Sequence, residues 1–181
     1  MKRLGLVMLA MALCVVAARP VMAQGSLRYG VSAGLLMPVG DYNTQDKLGF
    51  VGGAGATYWL AGQPIGIRGD VSYSSTSHKG TGATGNTKIL GGMASVVYAL
   101  NPASAPARIM LTGGVGYYNI DLGAGTPKQT KIGFGGGAAV AFKMGTGGTR
   151  FVVGTRYTSV STDGTSRLNF LPITVGLTFG K

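Results

Sequence analysis

The stretch "SLRYGVSAGLLMP", Ser26 to Pro38, alternates apolar with small or polar side chains. Leu27, Tyr29, Val31, Ala33, Leu35 and Met37 fall on one side of an extended chain, and Arg28, Gly30, Ser32 and Gly34 on the other. Successive side chains of a strand point to opposite faces, so this period of two predicts a strand with one apolar face. The period recurs in eight segments, at about 26–38, 48–60, 64–75, 87–100, 107–119, 130–143, 149–160 and 167–179. In the third, Ile65, Ile67, Val71 and Tyr73 stand against Gly66, Arg68, Asp70, Ser72 and Ser74. Gly, Pro, Asn, Asp, Ser and Thr separate the segments, as turns require. The expected fold is all-β: eight antiparallel strands running up and down and closing into a barrel.

An apolar face along every strand fits a soluble barrel with that face inside, or a transmembrane barrel with it towards lipid. The aromatic residues separate the two. With the strands alternating up and down, Tyr29, Tyr58, Tyr98, Phe142, Phe151 and Phe179 gather near one end. Phe50, Tyr73, Tyr117, Phe134 and Tyr157 gather near the other. Two aromatic belts with aliphatic residues between them match the two interfaces of a membrane. Trp59, Tyr118 and Phe170 stand outside this pattern. The connections at the inner end are short: Ala61 to Gln63, Asn101 to Pro106, and Met144 to Gly148. The outer ones, notably Thr76 to Asn86 and Ile120 to Gln129, are expected to be longer.

The N-terminus reads as a targeting segment. Lys2 and Arg3 precede an apolar stretch from Leu4 to Ala18, too short to span a bilayer. Val21-Met22-Ala23 supplies a cleavage site. Residues 1–23 are then a cleaved signal peptide, and the barrel domain occupies 24–181. The only cysteine, Cys14, falls in the removed part, so no disulfide and no thiolate metal site are expected. The sequence carries 16 basic and 5 acidic residues and no Glu. With a mean hydropathy of +0.29, that basicity points to an anionic lipid surface rather than to nucleic acid.

Four segments carry a resemblance: Leu111-Thr112-Gly113-Gly114-Val115-Gly116-Tyr117-Tyr118; Phe134-Gly135-Gly136-Gly137-Ala138-Ala139-Val140-Ala141-Phe142; Arg156-Tyr157; and Phe170-Leu171-Pro172-Ile173-Thr174-Val175-Gly176-Leu177-Thr178-Phe179. With them the chain resembles the bacterial outer-membrane β-barrel domain family, the small eight-stranded OmpA/OmpX-like type, over essentially all of 24–181. The resemblance implies residence in the outer membrane of a Gram-negative-type bacterium. Its partners would be outer-membrane lipid and lipopolysaccharide, and the barrel-assembly machinery during biogenesis. A final strand ending in Phe, here Phe179 followed by Gly180-Lys181, looks like the signal that machinery reads. No nucleic acid partner is expected, and the chain is read as a monomer.

Alternation sends Arg28, Arg68, Asp70, Arg108, Lys131, Arg150 and Arg156 into the lumen. Eight strands leave an interior just wide enough for side chains to fill, so these seven are read as a structural polar network with Asp70 as its hub. An anion site is the functional alternative. Arg68-Gly69-Asp70 spells an integrin-binding tripeptide, but two of its side chains would face inward. Catalysis finds little support. His78 is the single histidine, no Asp is near it in sequence, and some lipid A-modifying barrels need a nucleophile, a base and an acid together. No catalytic residue, cofactor or metal is expected. The glycine runs are not phosphate loops, since no helix follows them. The outer-loop residues His78, Lys79 and Lys128 are the interaction candidates. The function read here is a non-catalytic structural or surface-interaction role, in envelope integrity or adhesion. A narrow porin-like channel, a lipid A-modifying enzyme and a soluble lipocalin-like carrier are the alternatives.

Overall fold

The alternating segments become eight strands: β1 (Ser26–Val39), β2 (Gly49–Trp59), β3 (Ile65–Ser77), β4 (Asn86–Ala99), β5 (Ala107–Asp121), β6 (Gln129–Lys143), β7 (Arg150–Ser161) and β8 (Arg167–Phe179). The computed structural model describes residues 25–79, 85–123, 127–162 and 167–180. The expected signal segment lies outside them. Each strand pairs antiparallel with its sequence neighbour, and β8 pairs back onto β1, closing the barrel. Every strand bound falls within two residues of the bound expected from alternation.

Two features differ from expectation. β3 and β5 run on to Ser77 and Asp121, so the loops that follow are shorter than the sequence pattern implies. The β3–β4 loop (78–85) barely exceeds the β4–β5 turn (100–106), and the asymmetry between outer and inner connections is slight. The β1–β2 loop also holds a short helix, α1 (Asp41–Gln45), which no apolar period announces. With five residues it is too brief to show one.

Burial fixes which face looks outward. Val31, Leu35, Ile67, Val71, Val115 and Ile132 are all exposed, so the apolar register clothes the outside. All eleven belt aromatics lie on that surface, from Tyr117 at 64% exposed to Tyr58 and Phe151 at 37%. Tyr29 sits directly across from Phe179, and Phe142 from Phe151, in the inner belt. The rings of Phe50 and Tyr73 lie 6.1 Å apart in the outer one. Trp59, Tyr118 and Phe170 escape the belts because they belong to the other register: all three are buried in the lumen. No helix among the described residues is long and apolar enough to cross a membrane.

Small residues on the inner face make room for large ones. Gly91 on β4 pairs with Tyr118 on β5, and a Cβ at Gly91 would stand 2.7 Å from the Tyr118 ring. A Cβ at Gly133 on β6 would stand 2.9 Å from the same ring. The wall has one local gap. β7 and β8 pair at Thr155↔Ile173 and again at Thr158↔Phe170, but not between, where Pro172 has no N–H to give. Gly91→Val is expected to overpack the lumen against Tyr118 and to cost about 1–3 kcal/mol, read from the urea midpoint of the protein folded in micelles.

Candidate functional site

Charge, bulk and hydrogen bonding are stacked in layers along the lumen. At mid-height Asp70 on β3 faces Arg156 on β7, four strands away in a ring of eight, so the pair spans the lumen. Arg156 Nη2 donates to Asp70 Oδ1 at 2.9 Å and Nη1 to Oδ2 at 3.4 Å, a bidentate contact. Nη1 also points at the Met93 sulfur. Arg68, two residues along β3 from Asp70, brings its Nε to 3.4 Å from Oδ2. That contact is electrostatic only, for Nε lacks hydrogen-bond alignment. The Asp70 side chain is 7% exposed. Arg68 and Asp70 thus face inward and Gly69 outward, a geometry in which Arg68-Gly69-Asp70 cannot be read as a loop-tip tripeptide. About 130 Å³ of cavity remains around this pair, room for a few waters.

Above the ion pair the lumen turns apolar. Leu36, Val51, Ile89, Tyr118, Val160 and Phe170 form a buried cluster, with Tyr118 and Phe170 edge to face at 6.1 Å. Strict alternation predicts small or polar residues here. The sequence carries a signal for the departure: adjacent apolar pairs, Leu35-Leu36, Ile89-Leu90 and Tyr117-Tyr118, give both faces an apolar residue where the strands approach the outer end.

A hydrogen-bonded cap closes the outer mouth. α1 lays Tyr42 into it, 4% exposed, with its hydroxyl 2.6 Å from Thr76 Oγ1. Asp46, just after α1, is buried and accepts from Thr76 Oγ1 at 3.2 Å and from Thr87 Oγ1 at 3.1 Å. His78 pairs with Asp46 through an isolated backbone bridge and places Nε2 3.1 Å from Thr87 Oγ1 and 3.8 Å from Asp46 Oδ1. The fold therefore supplies the carboxylate that His78 lacks in sequence. The arrangement is still not that of a catalytic triad, in which nucleophile and acid engage different nitrogens of the histidine ring. Here Asp46 and Thr87 both approach Nε2, and Thr87 is buried away from any substrate. Burial pushes the Tyr42 phenol up to about 12.

The remaining candidates divide between the two ends. Lys79 donates to the Asn43 carbonyl and, at 3.0 Å, to its Oδ1, tying the β3–β4 loop to α1. Lys128 is well exposed and pairs with Asp121 at 3.2 Å. Lys131 lies on the inward register near the outer end of β6. Arg28, Arg108 and Arg150 stand together at the inner end, apart from Asp70. The structure thus brings Arg68, Asp70 and Arg156 into one network at mid-height and places Arg28, Arg108 and Arg150 at the inner end. Tyr42, Asp46, Thr76 and Thr87, which sequence reasoning missed, are scattered over three elements with no shared motif. No group of residues among those described has the makings of a metal site.

Over residues 7–179 the chain matches the family model described as outer membrane protein beta-barrel domain. No curated protein matches it. Among solved structures it is similar to Neisserial surface protein A, NspA, at 16% identity with a TM-score of 0.61, over 86% of this chain and 96% of that one. It is similar to the N-terminal β-barrel domain of Pseudomonas aeruginosa OprF at 13% identity and a TM-score of 0.55, over 87% and 100%. It is also similar to Ail, the attachment invasion locus protein of Yersinia pestis, solved with the heparin analogue sucrose octasulfate. That match has 16% identity and a TM-score of 0.52, over 86% and 97%. At these identities the likeness is one of fold.

Two outcomes follow from this geometry. Asp70→Ala leaves Arg68 and Arg156 without their counter-charge, and is expected to cost about 3 kcal/mol, the low end for a buried pair because both arginines are partly exposed, read from urea unfolding. Unchanged stability together with lost cell adhesion would instead make Arg68-Gly69-Asp70 a recognition element. The Tyr42 phenol has its native value above the ordinary 10.0, so its contribution is complete below pH 10 and is lost as pH rises through about 12. The urea midpoint of the micelle-folded protein should fall over that interval, and Tyr42→Phe should make the fall smaller.

Proposed function

The chain belongs to the outer membrane protein beta-barrel domain family, and from that premise we propose a non-catalytic protein of a Gram-negative outer membrane whose role is structural and interactive. It passes no bulk solute, and its partners meet it at the outer rim. The observation that carries this reading is the occluded lumen. An ion pair crosses it at mid-height, an apolar cluster fills the level above, and α1 caps the mouth. From mid-height to the outer mouth, a barrel filled in this way offers neither a channel nor an interior ligand cavity of carrier size.

What stays available is the rim. Lys79 and Lys128 are exposed there, on the β3–β4 and β5–β6 loops, and His78 is half-buried. Cations at that height suit polyanions: the phosphates of lipopolysaccharide in the same leaflet, or sulfated glycans on another cell, the chemistry of the heparin analogue bound by Ail. Lipopolysaccharide contact serves envelope integrity, and glycan contact serves adhesion.

The test takes the full chain from membrane fractions. Unheated protein should migrate differently from boiled protein and fractionate with the outer membrane, and planar bilayers should show no discrete conductance steps. Heparin or lipopolysaccharide should bind with an affinity that falls with salt, and the double variant Lys79→Gln/Lys128→Gln should weaken it several-fold. Stepwise conductance would move the reading to a narrow pore. Acyl release from lipid A that disappears in His78→Ala would move it to an enzyme.

A further inference from the structure

Arg28, Arg108 and Arg150 begin β1, β5 and β7, and all three point inward at the same end of the barrel. Arg150 reaches the carbonyl of Ala141, the residue that pairs with Arg108, and Arg28 reaches that of Gly148, two residues before Arg150. Of the acidic residues, Asp41, Asp46 and Asp121 lie at the opposite end and Asp70 at mid-height; Asp163 lies outside the described residues. Among the described residues, none of the three arginines pairs with a carboxylate.

Two of them have a plain structural use. Arg150 donates from Nη1 to the carbonyls of Ala105 and Ala141, at 3.2 and 3.3 Å, and from Nη2 to that of Ala103. Arg28 Nη1 donates to the Gly148 carbonyl at 2.8 Å. These bonds staple inner turns to the wall. Arg108 is different. It is 7% exposed, its guanidinium Cζ lies over the Trp59 ring 3.7 Å from the centroid, and its Nε is buried with no hydrogen-bond partner. Stacking satisfies the face of a guanidinium, whereas its N–H donors point outward in the plane. A buried donor left without an acceptor is costly, and a buried cation more so. Beside it a recess of about 540 Å³ opens at the inner end, lined by Arg108, Trp59, Ser26, Gln63 and Asn101.

We propose that this inner mouth is a phosphate-binding site, with Arg108 as the principal ligand and Arg28 and Arg150 supplying the surrounding positive charge. The planar fork of a guanidinium matches two oxygens of a phosphate, and such charge-assisted pairs are strong where water is partly excluded. Two sources share this chemistry: free phosphate or a phosphomonoester, and the phosphodiester headgroup of a lipid in the adjoining leaflet. The site is independent of the outer rim and stands whether or not the rim binds polyanions.

Trp59 is the only tryptophan, so its emission reports directly on Arg108. The full chain, folded in uncharged dodecyl maltoside micelles, is titrated with inorganic phosphate at constant ionic strength. In parallel it is placed in nanodiscs of phosphatidylcholine with increasing phosphatidylglycerol. A saturable change in Trp59 emission with a rise in thermal midpoint is expected. Saturation by inorganic phosphate assigns the free anion; a response confined to phosphatidylglycerol assigns the headgroup. Arg108→Gln should lower the apparent affinity about tenfold and Arg28→Gln by less. If Arg108→Gln fails to fold, as its heat-shifted mobility would reveal, Arg108→Lys keeps the charge, loses the fork and is expected to weaken binding as well. No saturable change in either arm, an undiminished response in the folded Arg108 variants, or an equal response to acetate would overturn the proposal.

Discussion

Hydrocarbon offers no partner to a backbone N–H or C=O, and each such group left unpaired there costs several kcal/mol. A sheet meets that constraint only by closing on itself, as β8 does on β1. Closure dictates much else. Every strand then has one face to lipid and one to the lumen, so the side chains must alternate, and the outer register must be apolar through the full height of the wall. The aromatic belts follow from the same geometry, since rings with polar edges settle where lipid meets water. The one interruption, at Pro172, falls where the N–H that proline lacks would otherwise have had to find a partner.

The inner face is governed by a different condition: it must fill a narrow space without stranding charge. Glycines at Gly91 and Gly133 let one large ring, Tyr118, occupy the width. Asp70 supplies the counter-charge for two arginines at mid-height. Towards the outer end, where Leu36, Ile89 and Phe170 fill the lumen, desolvation would penalise a charge heavily, and none of the three arginines of the inner end reaches it. The cap over the mouth is polar, but Asp46 is held by Thr76 and Thr87, so the burial of its carboxylate is compensated.

The strands and their lipid-facing register were legible in the sequence because a period of two is a local signal, repeated eight times. The same signal placed Arg68, Asp70 and Arg156 in the lumen, and it explains why Trp59, Tyr118 and Phe170 resist the belts: they sit on the opposite parity. It did not reveal that Arg156 rather than Arg150 or Arg108 meets Asp70, since height along the barrel depends on the register of every intervening pair. The cap was illegible for another reason. Tyr42, Asp46, Thr76, His78 and Thr87 come from two connections and two strand ends, and their meeting is a product of closure rather than of any local pattern. The β3–β4 loop was overestimated because Thr76 and Ser77 look like loop residues by composition, yet both continue the ladder opposite Thr87 and Asn86.

The ion pair between β3 and β7 also has a mechanical meaning. A cylinder of paired strands is stiff along each strand but can flatten, trading a circular outline for an elliptical one at little loss of pairing. Lateral pressure in a crowded bilayer pushes it that way. Arg156 and Asp70 brace the wall along a diameter, and Tyr118 with its packed neighbours resists compression one level up. The outline is therefore held, and with it the area of lipid that the barrel displaces.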